Sequence, residues 1–310
     1  MTSAAGIVRS KLQVFTSLPN EFRRKDTLTP WSMLNRMGTP GDSFLEGPVF
    51  DSEGNLYVCD IEYGRVFRID VAGGWSLVAE WDGEPNGLTF LSETELLTTD
   101  FRHGLMVIDV ISGVIQPYLD RRNTERFKGV NDLVFDSKGN LYFTDQGATG
   151  LHDPSGRLYR LSPDGRLDAL LSNVPSPNGL VLSTDERILY LAVTRANAVW
   201  RVPLMPDGGV AKVGQYLSVN GPAGPDGLAM DVRDRLSVAI PGRGEVWILD
   251  HNADPAWVLT SPTGRSTTNI AYGGPDRHEL YCTESATGTI LRATLDVAGC
   301  EVSRGRGPSH

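Results

Sequence analysis

Cysteine is scarce in this chain, with three in 310 residues at positions 59, 282 and 300. That is too few for a disulfide framework, and the spacing matches no CxxC metal knuckle, so the thiols read as small hydrophobes in strands or at the surface. His103, His152, His251 and His278 show no metal-ligand spacing either. No run of about 18 apolar residues is present, which excludes a membrane-spanning helix. After Arg9 and Lys11 only a short, broken apolar run precedes Pro19, so there is no signal-peptide core and a cytoplasmic location is expected. Positive charge is in deficit: 29 Lys+Arg against 38 Asp+Glu gives a net charge of −9, and no basic cluster exceeds short loops such as Arg121-Arg122. A nucleic-acid face needs clustered cations, so that class of partner is set aside. GxSxG, HExxH, GxxxxGK[ST] and GxGxxG are all missing, which removes the Ser/His/Asp hydrolase, zinc-protease, P-loop and dinucleotide readings.

What the chain does have is self-similarity. Glu46-Gly-Pro-Val is followed by Phe-Asp-Ser-Glu-Gly-Asn-Leu-Tyr-Val-Cys-Asp60, and Val130-Asn-Asp-Leu-Val by Phe-Asp-Ser-Lys-Gly-Asn-Leu-Tyr-Phe-Thr-Asp145. Looser copies open at Pro85-Asn-Gly, Pro177-Asn-Gly, Pro225-Asp-Gly and Thr268-Asn-Ile. The polar residues that open the copies are Glu46, Asn86, Asn131, Asn178, Asp226 and Asn269, spaced by 40, 45, 47, 48 and 43 residues. Within a copy, short alternating apolar runs are separated by Asp/Gly/Asn turn chemistry, so each reads as a meander of about four strands. Six such units with no helical period between them predict an all-β fold, a six-bladed β-propeller with four-stranded antiparallel blades over residues 46–300. A sandwich or jelly roll does not predict six copies at nearly constant spacing.

Residues 1–45 lie outside the repeats. Lys11–Phe15 can supply a strand that closes the ring by pairing into the last blade. Residues 19–45 read as a long loop, and its Trp31, Met33, Leu34 and Met37 favour a packed lid. The whole forms one structural domain ending in a flexible tail, residues 301–310.

In a propeller the first strand of each blade lines the central channel, so residues about 45 positions apart converge near one axis. The six openers then form a rim of carboxylate and amide oxygens, a ligand set suited to a hard divalent cation. A single Asn-Gly is more simply a turn former, but six equivalent Asp, Asn or Glu positions are not explained by turns. Glu46 is the most telling, because Glu is a poor turn residue. Asp51 and Asp136 belong to hairpin turns, and Asp60, Asp100 and Asp145 recur 14 residues after the opener, which suggests a blade-to-blade structural role. Asp132 stands where four other copies have Gly47, Gly87, Gly179 and Gly227, placing an extra carboxylate beside the rim.

Phe44-Leu-Glu-Gly-Pro48, the Asn131-Asp132 copy, Pro177-Asn-Gly179 and Pro225-Asp-Gly227 together resemble the SMP-30/gluconolactonase/luciferin-regenerating-enzyme family of six-bladed propellers, over about residues 44 to 295. The resemblance implies metal-dependent hydrolysis of a small-molecule lactone, with one divalent ion at the top of the channel: Ca²⁺ first, with Mg²⁺, Mn²⁺ or Zn²⁺ as alternatives. It implies Glu46, Asn178 and Asp226 as metal ligands, and Asn131 as metal or substrate ligand. Asp226 doubles as general base, with Asp132 the competing candidate. Regucalcin-like members carry an Arg two residues before that Asn; here the position is Gly129, which weakens a sugar-lactone assignment based on regucalcin, and the Asn-Asp pair, found in several branches, leaves the substrate open. Asn86, Asn131, Asn269, Trp31 and His103 are candidate substrate contacts, and Tyr63, Phe101 and Arg102 are placed with them in blade-top loops. Two other readings stay open: a non-catalytic ligand- or protein-binding propeller with a structural Ca²⁺, and a non-hydrolytic enzyme of the strictosidine-synthase-like type. Oligomeric state is not readable, and no membrane partner is indicated.

Overall fold

A computed structural model describes residues 6–25 and 27–305. Asp/Gly-rich hairpins divide the chain into β-meanders. The first runs Leu45–Phe50, Leu56–Asp60, Arg65–Ile69 and Trp75–Glu80, each strand pairing antiparallel with the next. Equivalent blades begin at Pro85–Phe90, Val130–Phe135, Pro177–Leu182, Leu228–Met230 and Thr267–Gly273. These six opening strands contact one another in cyclic order, the sixth touching the first, so they form the inner wall of a six-bladed propeller.

Blade six contributes only three strands of its own, Thr267–Gly273, Glu279–Glu284 and Thr289–Thr294; its fourth is Gln13–Ser17, antiparallel to Thr289–Thr294. Just upstream, Val8–Lys11 adds a fifth, parallel strand to blade five against Pro255–Thr260. Between them Leu12, 2% exposed, is buried in the apolar cluster that blades five and six share. The N-terminal segment therefore joins two blades as well as closing the ring.

The blades pack face to face through clusters of Val, Leu, Ile and aromatic side chains, for example Tyr57 of blade one edge-on to Phe90 of blade two at 5.4 Å. The stretch read as a loop contains a 3₁₀ turn at Asn20–Phe22 and a short helix, Pro30–Asn35. Thr29 and Ser32 cap that helix reciprocally and Pro30 opens it, a local signal that proline content alone had masked. Trp31 stacks on Phe44 at 4.7 Å, but Met33, Leu34 and Met37, expected to pack, are exposed at 56%, 61% and 97%.

Residues 301–305, expected to be flexible, instead cross the lower mouth of the channel. Ser303 bridges to Phe135, the Gly305 N–H donates to Phe90 O (3.0 Å), and Arg304 pairs with Glu93. Residues 306–310 of that tail lie outside the described residues. Among the described residues no helix is long and apolar enough to cross a membrane.

Candidate active site at the head of the channel

Each opener lies where its inner strand begins, and the ladder slips there. Register shifts fall at Glu46/Val49, Pro85/Leu88, Val130/Leu133, Pro177/Leu180 and Thr267/Ile270. A bulge re-aims side chains and lets the strand end bend inward, so the same defect repeated around the ring directs five openers toward the axis. In blade five, Asp226 lies just before the strand, its N–H held by Ala239 O at 3.0 Å.

The glycines after the openers follow from this crowding. A Cβ on Gly47 (φ +56°) would lie 2.0 Å from Asn86 O, and one on Gly227 would lie 2.0 Å from Asn269 Oδ1. Asp132 replaces glycine in blade three, and its Oδ1 lies 2.6 Å from where a Gly87 Cβ would be. Gly87 thus leaves the space that the extra carboxylate uses.

Glu46, Asp132 and Asp226 share one poorly solvated region. Burial pushes the Glu46 carboxyl up to about 7, offset in part by the Gly47 N–H (2.9 Å to Oε2) and by Asn269 and Thr268. Burial also raises Asp132 to about 7 despite the Leu133 N–H on Oδ1 (2.8 Å), and the Glu46 charge adds to it. Asp226 is pushed well up, by burial and then by Glu46 and Asp132, against the Asn178 side chain and the Arg195 guanidinium. Asn131 is 5% exposed; its Nδ2 donates to Gln146 Oε1 (3.2 Å), and its buried Oδ1 has no partner.

This arrangement fits a hard divalent cation. Among the described residues no three or more His, Cys, Asp or Glu side chains form a metal-holding group. The available set is instead Glu46 and Asp226 with the amide oxygens of Asn131 and Asn178. Repelling carboxylates and an orphaned buried acceptor are what a cation would relieve. Asn269 joins the cluster one position later than expected: the blade-six ladder puts Thr268 at the opener position and Asn269 where blade three has Asp132, its N–H on the Thr283 hydroxyl (2.9 Å) and its Oδ1 accepting the Ile270 N–H at 2.8 Å. Asn86 brings its backbone carbonyl against Gly47, and the Trp31 ring packs on Phe44, two residues before Glu46. His103 is exposed, its ring Nε2 2.6 Å from Asp82 O, with no contact to the carboxylates. The Phe101 ring covers Gly129 (φ +148°), 2.4 Å from where a Cβ would be.

The strand-end acids are structural, as their repetition suggests, and they secure the incoming connection between blades. Asp60 accepts the Phe44 N–H (2.7 Å), Asp100 that of Glu84 (3.2 Å), and Asp145 those of Lys128 and Gly129 (2.8 and 2.9 Å). Sequence reasoning missed Gln146, Arg195 and the threonines beside these acids. Gln146 directly follows a repeat position and could have been found by extending the alignment one residue. Cys59 and Cys282 are buried thiols pushed up by burial, and no cysteine among the described residues is in a disulfide.

A six-bladed propeller with a carboxylate–amide cluster at the head of its channel defines the class of fold and site. The chain matches the SMP-30/gluconolactonase/LRE-like region over residues 44–286 and belongs to that family. It is 31% identical over 247 residues to a Staphylococcus haemolyticus protein named lactonase drp35, covering 76% of this chain and 74% of that one. A Staphylococcus aureus protein of the same name is 28% identical over 250 residues, with the same coverage. Among solved structures, a calcium-binding regucalcin from Agrobacterium tumefaciens superposes with TM-score 0.78 at 21% identity, covering 97% of this chain and 99% of the other. A gluconolactonase from Xanthomonas campestris gives 0.70 at 19%, covering 96% and 99%. At these identities the structural likeness establishes the fold.

Proposed function

We propose that this protein is a lactonase, a hydrolase that opens a cyclic ester with a divalent cation held by Glu46, Asn131, Asn178 and Asp226. The observation that carries the reading is the trio of Glu46, Asp132 and Asp226, in which the Glu46 charge raises both aspartates, together with the buried, partnerless Oδ1 of Asn131, the residue before Asp132. The names of the drp35 relatives support the choice of reaction. A cation bound there supplies Lewis-acid stabilisation of the developing oxyanion. Ca²⁺ suits the all-oxygen set first, with Mg²⁺, Mn²⁺ and Zn²⁺ as the ions to compare.

Two carboxylates can accept the proton of the attacking water, and we assign that role to Asp132. A ligating carboxylate loses basicity to its cation, whereas Asp132 stands outside the donor set, where burial favours its protonated form. Water adds to the acyl carbon as Asp132 takes its proton. The ring C–O bond then breaks, and Asp132 returns the proton to the departing alkoxide, giving a hydroxy acid. Asp226, whose carboxyl is also pushed up in the ion-free protein, is the alternative base. Phe101 over Gly129 leaves no Arg on that wall to meet sugar hydroxyls, which favours lactones less hydroxylated than sugar lactones.

The test is hydrolysis of sugar, aliphatic and benzo-fused lactones by chelator-stripped protein with each cation restored, beside Glu46→Gln, Asp132→Asn and Asp226→Asn. Cation-restored turnover that Glu46→Gln abolishes supports the reading. Thermal stabilisation by the cation with no turnover on any lactone would make this a binding propeller. Near-wild-type turnover of Asp132→Asn would transfer the base role to Asp226.

A further inference from the structure

The threonines beside the strand-end acids do more than fill the wall. Thr99 and Thr144 occupy equivalent positions in the second strands of blades two and three, and both are fully buried. The Thr99 hydroxyl accepts the Gly87 N–H of its own blade (2.7 Å) and donates to Asn131 O in the next. The Thr144 hydroxyl accepts the Asp132 N–H (3.0 Å) and donates to Asn178 O (3.0 Å). A hydroxyl is the smallest side-chain group that can do both at once. The backbone groups served lie in or beside the bulges, where the ladder leaves them unpaired. The equivalent positions in blades one, four and five are Cys59, Ala192 and Ala239, so the device is not a general requirement of the fold. Blade six has Thr283 there, whose hydroxyl accepts the Asn269 N–H (2.9 Å) but otherwise meets only Asn269 O and the Thr268 hydroxyl of its own blade. The link onward to the next blade's carbonyl occurs in the two blades that lead to Asn131 and Asn178, the amide members of the donor set. It also fixes the backbone of Asp132.

We infer that Thr99 and Thr144 are positioning residues, a two-step hydroxyl relay from blade two to blade four that sets Asn131 and Asn178 at the distances a cation requires and holds Asp132 beside them. The inference rests on the cation reading above. Outer-shell groups of this kind typically change metal affinity or activity by about 10–100-fold.

The experiment is calorimetric titration of Ca²⁺ into chelator-stripped wild type, Thr144→Val, Thr144→Ser, Thr99→Val, Thr98→Val and Glu46→Gln. Valine keeps the shape and removes the hydroxyl. Thr98 is equally buried, but its hydroxyl donates to carbonyls of its own blade, Gly87 O (3.1 Å) and Thr99 O (3.2 Å), and across the blade boundary meets only the Cys59 thiol (3.9 Å). The expected result is Ca²⁺ binding weakened about 10–100-fold in Thr144→Val and Thr99→Val, restored in Thr144→Ser, and within about threefold of wild type in Thr98→Val. Wild-type affinity in Thr144→Val, alongside lost affinity in Glu46→Gln, overturns the relay alone. An equal loss in Thr98→Val also overturns it, since buried packing would then explain the effect. Wild type that binds no divalent cation overturns the cation reading and the relay with it. If Thr144→Val does not fold, Thr99→Val and the Thr144→Ser comparison carry the test.

Discussion

Substituting Glu46 by Gln should stabilise the ion-free protein while destroying its response to a cation. In the folded chain burial holds the Glu46 carboxyl at about 7, against 4.5 for an unhindered Glu. Each tenfold in proton affinity is worth 1.36 kcal/mol, so ionising Glu46 above pH 7 costs the fold about 3 kcal/mol. Between pH 4.5 and 7 the folded Glu46 binds more protons than the unfolded one, so its contribution to the stability of the ion-free protein falls as pH rises through that window and levels off above it. Gln keeps an acceptor for the Gly47 N–H and never ionises. It also removes the charge that raises Asp132 and Asp226. At about 2 °C per kcal/mol, chelator-stripped Glu46→Gln should melt roughly 6 °C above chelator-stripped wild type at pH 8 and converge with it near pH 4.5. Millimolar Ca²⁺ should raise the wild-type Tm and leave the variant unchanged. Scanning calorimetry at several pH values, with and without Ca²⁺, reads all of this. An ion-free variant that melts below wild type at pH 8 with the same pH slope would refute the claim that uncompensated charge dominates the site.

Two other predictions concern the frame around the site. Gly227→Ala places a methyl 2.0 Å from Asn269 Oδ1 and 2.6 Å from Asn269 Cα, so a rotamer change cannot absorb it. A loss of about 1–3 kcal/mol in denaturant melts is expected, with weakened Ca²⁺ binding, whereas Gly214→Ala, with nothing within 4 Å, should be neutral. Arg65→Met strands the Asp60 carboxylate, which is fully buried and held by the Arg65 Nε at 3.0 Å. It should cost about 3–5 kcal/mol, and adding Asp60→Asn should recover part of that in a double-mutant cycle.

The repeat was legible because propeller blades reuse one hairpin chemistry, and the spacing of Glu46, Asn86, Asn131, Asn178 and Asp226 reported both blade number and channel wall; the sixth copy was set one residue late, at Asn269 in place of Thr268, because its opener lacks the Asn/Asp signature. The capped helix at Pro30–Asn35 was hidden because six residues carry too little periodicity to register. The tail over the lower mouth was hidden because Ser303 and Gly305 act through backbone pairing with Phe135 and Phe90, which composition does not encode.

By itself, then, the sequence determined the architecture and named the polar residues that ring the axis, since alternation, turn residues and repeat period are local properties. Tertiary structure alone decided which of those residues share a desolvated space, that Gly87 makes room for Asp132, that Asn131 keeps an unpaired oxygen, and that two threonine hydroxyls join neighbouring blades. The physical reason is that burial, repulsion between carboxylates and hydrogen bonding at bulges depend on distances between residues about 45 positions apart, which exist only once the ring has closed.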